Sequence, residues 1–371
     1  MKSIKRICPA CGVNKYFRED NKTCGCQGYS PVLTGIKSRV DVDLAKLRYK
    51  HSGAAEEIKE LKTRVVNLEK LLDAITPLKN PAPATVTIVP TQSANKSESV
   101  AVAVWSDHHL EEKVMKNQTL GRNEYNLDIA RQRFDSLVTG TLAWYRIEAK
   151  ETKIKTFVLA LLGDFITGSI HSDSAESNLL PPTDAIYFAQ SLLLGGIQTL
   201  LKELPSDVKI QVVCHGGNHS RITKEQRIAT EVGNNLEYLM YLTLRDFFAG
   251  NKRIDFNIAR GYHSHVSFFE DKYTIRFHHG HQISYSGGMS GLHAPVQKAI
   301  ANWNRARPVD LDVFGHFHQR IDGGNFILNG SLIGYNAYAT SIKAAYERPS
   351  QTFFLINREY CGKSMTAAIY V

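Results

Sequence analysis

Residues 99–371 predict a layered α/β domain, and two observations carry that expectation. Apolar runs of strand length alternate with helix-length periodic segments from Val100 onward. Five short motifs rich in Asp, His and Asn each fall where an expected strand stops, the edge at which layered α/β folds gather ligands. Strands are expected at 100–105, 155–162, 208–214, 266–269, 273–278, 311–314, 326–328, 352–356 and 367–370. Helices are expected at 126–149, 183–202, 225–248 and 295–303. No internal repeat divides the region.

A chain of 371 residues exceeds what one hydrophobic core organises, so a large domain with an appendage is expected. With 43% apolar and 22% charged residues, the composition is that of a globular protein. The best apolar stretch, Phe157 to Leu162, is ended by Gly163 and Asp164, far short of the roughly 18 residues of a membrane helix. No membrane partner is therefore expected. No apolar segment follows the basic start MKSIKRICPACG, which points to a cytoplasmic protein without a secretory signal.

Four of the six cysteines lie in the first 26 residues. Cys8, Cys11, Cys24 and Cys26 read C-x2-C-x12-C-x-C, two tight turns able to present four thiolates to one tetrahedral zinc. A zinc-ribbon-like domain is expected over 1–36, with Tyr16, Phe17 and Tyr29 as its small core. Leu44, Leu47, His51, Ala54, Ile58, Leu61, Val65, Leu68, Leu72 and Ile75 then alternate steps of three and four, a heptad stripe. A coiled-coil-like helix over 40–76 and a homo-oligomer formed through 44–75 follow from that spacing. Pro77, Pro81, Pro83 and Pro90 mark 77–98 as a linker. Residues 1–76 carry fifteen Lys/Arg against nine Asp/Glu, of a formal charge of +9 for the whole chain. That basic excess fits a polyanion partner, and equally a solvated face that keeps the protein soluble.

The five motifs are Asp107-His108-His109, Gly163-Asp164, Gly217-Asn218-His219, His278-His279-Gly280-His281 and Gly315-His316-Phe317-His318. Two divalent cations about 3.5–4 Å apart can clamp the attacking and leaving oxygens of a phosphoryl displacement. They require a carboxylate to bridge them and neutral imidazoles to complete each shell. Asp107 and His109, or His316 and His318, on an extended segment would point to one side and reach one ion. Such mixed His/Asp/Asn ligation suits Mn, Fe, Zn or Co.

These motifs, in this order, resemble the calcineurin-like metallophosphoesterases, whose pattern runs D-x-H, G-D, G-N-H-D/E, H-G and G-H-x-H, followed by a segment here read as Asn329-Gly330-Ser331. The resemblance covers 100–371 and extends to phage and bacterial metallophosphoesterases and to the DNA-repair exonuclease branch. It implies an αββα sandwich, two β-sheets flanked by helices, with two divalent metals (Mn2+ favoured) at the strand edge. By matching position, Asp107, His109, Asp164 and His318 would hold the first metal. Asp164 would bridge to the second, completed by Asn218, His279 and His316. His279 is preferred to His278 and His281 because the family's ligand immediately precedes the glycine. Asp164 and His219 would be catalytic, His219 as a non-ligand histidine that protonates the leaving oxygen or steadies the transition state. The acid that often follows this histidine is replaced by Ser220, so its orienting partner must come from elsewhere. Arg221 is placed to grip a phosphate oxygen or, equally, to start a helix at the surface. His108 and His171 are expected to line the cleft; His215, His263, His265, His293 and Cys214 read as structural.

The function so implied is a metal-dependent phosphoesterase acting through a metal-bridging hydroxide, most simply a nuclease, with nucleic acid as partner. Cleavage of cyclic nucleotides, nucleotides or phosphoproteins is the enzymatic alternative. A non-catalytic nucleic-acid-binding scaffold is the third.

Overall fold

The computed structural model describes residues 3–7, 14–18, 39–79, 97–285 and 291–371. The chain divides into two units, Met1–Leu72 and Asp73–Val371. In the first, β1 (Ser3–Ile7) and β2 (Asn14–Arg18) form an antiparallel pair with Ser3 opposite Arg18 and Ile7 opposite Asn14. Helix α1 (Arg39–Lys79) follows, 41 residues long and thus about 60 Å at 1.5 Å per residue. It runs three residues beyond the expected end at 76 and passes through Pro77. Cys8, Cys11, Cys24 and Cys26, and residues 80–96 of the expected linker, lie outside the described residues. No helix among the described residues is long and apolar enough to cross a membrane.

The second unit is a four-layer α/β sandwich. One sheet has six strands in the order β13 (Gly362–Tyr370), β12 (Ser350–Asn357), β3 (Glu98–Trp105), β4 (Lys153–Leu161), β5 (Lys209–Cys214) and β6 (Ile254–Ile258). The other has five, β10 (Ile321–Asp322), β11 (Phe326–Leu328), β9 (Leu311–Phe314), β8 (Tyr273–Phe277) and β7 (Ser264–Phe268). Strands β3 to β6 run parallel, as do β8, β9 and β11. Parallel strands end at a common edge, so their following loops are brought together.

Alternation along the strands explains the layering. Val100, Val102 and Val104 of β3, with Val158 and Ala160 of β4, face Ile275, Phe277, Leu311 and Val313 across the inter-sheet core. The intervening Ala101, Ala103 and Trp105, with Phe157, Leu159 and Leu161, face the helices α2 (Leu127–Glu148), α4 (Pro182–Glu203) and α5 (Leu236–Phe247). Helix α3 (Ser172–Ser177) is a short turn between β4 and α4. A third cluster under α6 (His293–Ala306) covers the outer face of the smaller sheet with Val296, Ile300, Phe314 and Phe326. Helix α2 begins where the Asn126 side chain accepts hydrogen bonds from the Asp128 and Ile129 amides, both 3.0 Å. Its buried stripe Ala130, Phe134, Leu137, Val138, Thr141, Leu142 and Tyr145 keeps a helical period.

Two expectations need correction. The helix expected over 225–248 begins only at Leu236. Asn235 caps it, accepting from the Glu237 amide at 2.9 Å, and 220–235 form a closed loop pinned by Leu236 N to Ser220 O at 2.9 Å. The helix-like composition of that loop is overridden by Gly233-Asn234-Asn235 and by the tertiary capture of Glu231. Strand β6, with the polar alternation Asp255 and Asn257 on a half-exposed edge, was not anticipated.

Trp105 is fully buried, edge-on to Phe134 at 5.5 Å, with its indole N–H 3.3 Å from Thr141 Oγ1. Trp105→Ala is expected to cost about 3–5 kcal/mol in urea unfolding. A loss under about 1 kcal/mol would contradict the packing described.

Candidate metal centre

All five motifs arrive at one edge of the sandwich, three from the six-stranded sheet (after β3, β4 and β5) and two from the five-stranded sheet (after β8 and β9). Three groups of donor atoms form there, each lying within 4.8 Å of one another: Asp107, His109 and His318; Asp164, His279 and His316; and His109, Asp164 and His219. Asp164 belongs to two of them, and His109, which it meets in one, also belongs to the group of Asp107 and His318.

The backbone makes this convergence possible in a way the strand pattern did not foretell. Asp107, His109, Asp164, His316 and His318 all have left-handed backbone, with φ between 47° and 75°. They are five of the eleven non-glycine residues of positive φ among those described. The expectation of extended segments projecting alternate side chains to one side is therefore corrected: sharp left-handed turns after β3, β4 and β9 aim these donors. Such turns cost about 1–3 kcal/mol each and persist where surrounding structure determines them. Gly163 (φ 87°) and Gly217 lie backbone against backbone, and a Cβ on Gly217 would overlap the Asp164 carboxylate. Only glycine permits that approach, which lets the His219 amide donate to Asp164 Oδ1 at 2.9 Å.

At the first group, Asp107 Oδ1 accepts from the His316 amide at 2.9 Å, and Ser106 Oγ donates to Oδ2. His109 Nε2 and His318 Nε2 stand 3.1 Å apart, and His318 Nε2 is 3.5 Å from Asp107 Oδ1. Burial lowers His109 and His316 well below the usual imidazole range and takes His318 to about 4, so all three are neutral near pH 7, as ligands must be. Burial also pushes the Asp107 carboxyl up to about 8, His279 offsetting and Asp164 adding to the effect.

At the second group, His279 Nδ1 donates to the Leu162 carbonyl at 2.6 Å. Its Nε2 then faces Asp164 Oδ2 at 3.0 Å and Asn218 Oδ1 at 3.1 Å. Burial opposes a charge on this ring, yet the Asp164 carboxylate raises it to about 10. Burial likewise works against ionising Asp164, but His279 and His219 hold it well below the usual carboxylate range. A lone pair pressed between two oxygens repels them unless a cation lies between. The donor set therefore fits a divalent ion, for which a proton on Nε2 is the substitute.

His219 Nδ1 donates to the Thr167 carbonyl at 2.9 Å, which supplies the orienting partner that Ser220 does not. Its ring stands edge-on to His109 at 4.9 Å, with the exposed His171 5.6 Å away. Ser220 instead closes the loop, donating to Asn235 Oδ1 at 2.9 Å. Arg221 spends its donors within the same loop, on the carbonyls of Asn218, Thr223 and Lys224 at 3.2–3.3 Å, and starts no helix. His108 departs from expectation: it is fully buried, edge-on to Phe165 at 4.6 Å and Phe134 at 5.9 Å, because the turn at Asp107 sends it under the site. His278 stacks on Phe314 at 4.7 Å, His215 bonds Ser264 at 3.0 Å, His263 packs on Trp303 at 4.6 Å beside His265 at 6.3 Å, and His293 meets Phe326 at 5.4 Å. Cys214 is buried in the core.

Several supporting residues had no such role assigned from the sequence. Glu237 is buried and accepts from the Phe165 and Gly217 amides, both 2.7 Å, tying the loops after β4 and β5 together. Burial, with Asp164 adding, moves it up to about 7. Glu111 accepts from the Thr167 and Gly168 amides at 2.8 and 2.7 Å, shaping the loop that orients His219. Asn329 donates to Ser106 Oγ and Gln351 Oε1, both 2.9 Å, and so holds the turn before Asp107. His281 pairs with Glu231 at 2.8 Å. The only sequence signal for Glu237 was an acid in the first turn of a capped helix.

No family model matches the sequence, and no curated protein matches it. Among solved structures, it is similar to a sulfate thiohydrolase, SoxB, from Thermus thermophilus in complex with glycerol, at 12% identity and a TM-score of 0.31. That match covers 75% of this chain and 57% of the other, so the chain spans little more than half of that neighbour's length. A dimetal phosphatase from Danio rerio matches at 11% identity and a TM-score of 0.32, over 73% of this chain and 98% of the other. These scores are too low for either protein to bear on fold or chemistry here.

His108 gives a pH prediction. Burial takes it from 6.5 to about 3, the Gln351 side chain offsetting a little. Below pH 6.5 the unfolded chain gains a proton that the native ring refuses, so the stability present above that pH is lost as pH falls toward 3. Between pH 7 and 4.5 this one ring should remove about 2–3 kcal/mol. In His108→Phe the pH 7-to-4.5 loss in urea stability should shrink by that amount; an unchanged loss would exclude the assignment.

Proposed function

We propose that this chain is a dinuclear metal-dependent phosphoesterase of the calcineurin-like kind, acting on nucleic-acid phosphodiesters. The observation that carries the reading is Asp164, a buried carboxylate that belongs to one donor group with His279 and His316 and to another with His109 and His219. Divalent cations held there would supply Lewis acidity toward a phosphoryl group and lower the pKa of water. Asp107, His109 and His318 would hold one, and His279, His316 and Asn218 the other, with Asp164 common to both. His219, fixed by the Thr167 carbonyl, presents Nε2 to the same space and is placed to give a proton to a leaving oxygen. Glu237 keeps Asp164 and His219 in register by fastening their two loops.

The preference for a polymer rests on the appendage. Its basic excess suits a polyanion, and Cys8, Cys11, Cys24 and Cys26 are a complete ligand set for a structural zinc. Leu44, Leu47, Ile58, Leu61, Val65 and Leu68 are each about half exposed along α1 in the single chain, 46–58%. A stripe of that kind suits a second copy of the helix, and two joined copies would hold a polymer more firmly than one.

With Mn2+, the purified protein should hydrolyse bis-p-nitrophenyl phosphate and labelled DNA or RNA. Asp164→Ala should abolish both activities, and His219→Ala should lower kcat by about 10²–10⁴-fold. Turnover of p-nitrophenyl phosphate or nucleotides without polymer cleavage would replace the nuclease reading by the small-molecule one. Inactivity with every divalent metal would leave only a binding scaffold.

A further inference from the structure

The segment between Asn329-Gly330-Ser331 and β12 is tied to two of the loops that carry the donor residues. Asn336 caps the short helix α7 (Ala337–Ser341), accepting from the Ala339 amide at 3.0 Å, while its amide nitrogen donates to Glu112 Oε1 at 2.9 Å. Thr167 Oγ1 is 3.4 Å from Glu112 Oε2 and 3.1 Å from His109 Nδ1. At the other end of the segment, the Glu347 carboxylate accepts from the Arg320 amide at 2.9 Å, two residues past His318. The segment is thus joined to His109 through Glu112 and Thr167, and at its other end to the backbone that follows His318. Tyr338 is two residues beyond Asn336, at most about 7 Å of backbone.

What it displays is aromatic and cationic. Tyr338 is 70% exposed and Tyr346 49%, beside Ile342 at 56%. Tyr346 stands edge-on to Tyr335 at 5.8 Å and carries the Arg122 guanidinium 5.6 Å from its ring centre. Lys343 and Arg348 are exposed on the same segment. Nearby acids are engaged: Glu347 as above, and Glu124 with Lys116 at 3.2 Å. The opposite flank of the centre, beyond His279, instead carries the Glu231 carboxylate, which a polyanion would avoid.

We propose that Tyr338 and Tyr346, with Arg122 and Lys343, form a stacking platform for an unpaired nucleic-acid strand whose scissile phosphate lies at the metal centre. The proposal rests on the nuclease reading and gives it a substrate class. Exposed rings interleaved with cations take the faces of unstacked bases while the cations follow the phosphates. A duplex, with its bases stacked inside, offers such rings little; a single strand or a frayed end offers each base in turn. A phosphoprotein would meet the cations but has no regular series of flat faces for the tyrosines.

The test compares single-stranded 12-mers with bis-p-nitrophenyl phosphate, both in Mn2+, for the full chain and for Tyr338→Ala/Tyr346→Ala, with circular dichroism to verify folding. The ratio of 12-mer to small-diester kcat/KM should fall at least tenfold in the double variant, chiefly through KM. Tyr338→Trp/Tyr346→Trp should restore it. If the wild type cuts the 12-mer and the alanine variant keeps the same ratio, the platform is refuted and the nuclease reading stands. If the wild type turns over the small diester but no 12-mer, the nuclease reading fails first, and the platform with it. Loss of phosphopeptide turnover in the variant, with 12-mer cleavage intact, would also overturn the proposal in favour of a protein-docking face.

Discussion

One buried carboxylate governs the arrangement of this domain. Asp164 lies just past the C-terminal end of a central strand, almost without solvent, among the imidazoles of His279, His316, His109 and His219. Charge in such a place is costly unless it is compensated. Within the protein the compensation comes from His279 and the His219 amide; with cations bound it would come from them. The inter-sheet core and the helix layers matter to function because they hold the strand ends rigidly enough to keep that crowding in place.

Rigidity is also what permits the left-handed turns at Asp107, His109, Asp164, His316 and His318. Each would relax if its neighbours were loose. The restraints are specific. Glu237 binds the loops after β4 and β5 from below, Glu111 shapes the Thr167 turn, and Asn329 with Gln351 clamps Ser106. Strain at the donor residues and the hydrogen bonds beneath them go together, the buried polar groups below holding the donor side chains in place.

The layered architecture and the donor set were legible because both follow from local pattern. Val100 to Trp105 reads as a strand buried on both faces, and motifs at strand ends converge whenever the strands run parallel. What was not legible depends on contacts distant in sequence. Nothing near Ser220 announces that the Thr167 carbonyl, more than fifty residues earlier, would orient His219. The helical composition before Leu236 gave no sign that Glu231 would be drawn to His281 and Tyr262, at 2.8 Å each, leaving a loop. His108 looked like a cleft residue because strand alternation was extended one residue too far, past the turn at Asp107. Tyr338 and Tyr346 carry no motif at all; only the folded chain ties the segment that bears them to Glu112 and to the backbone of Arg320.

The decisive measurement is anomalous scattering from crystals grown with Mn2+. Two peaks about 3.5–4 Å apart, with one Asp164 oxygen or both carboxylate oxygens reaching each, are the expected result. A single peak, or two peaks that do not share Asp164, would contradict the dinuclear centre on which the proposed chemistry stands.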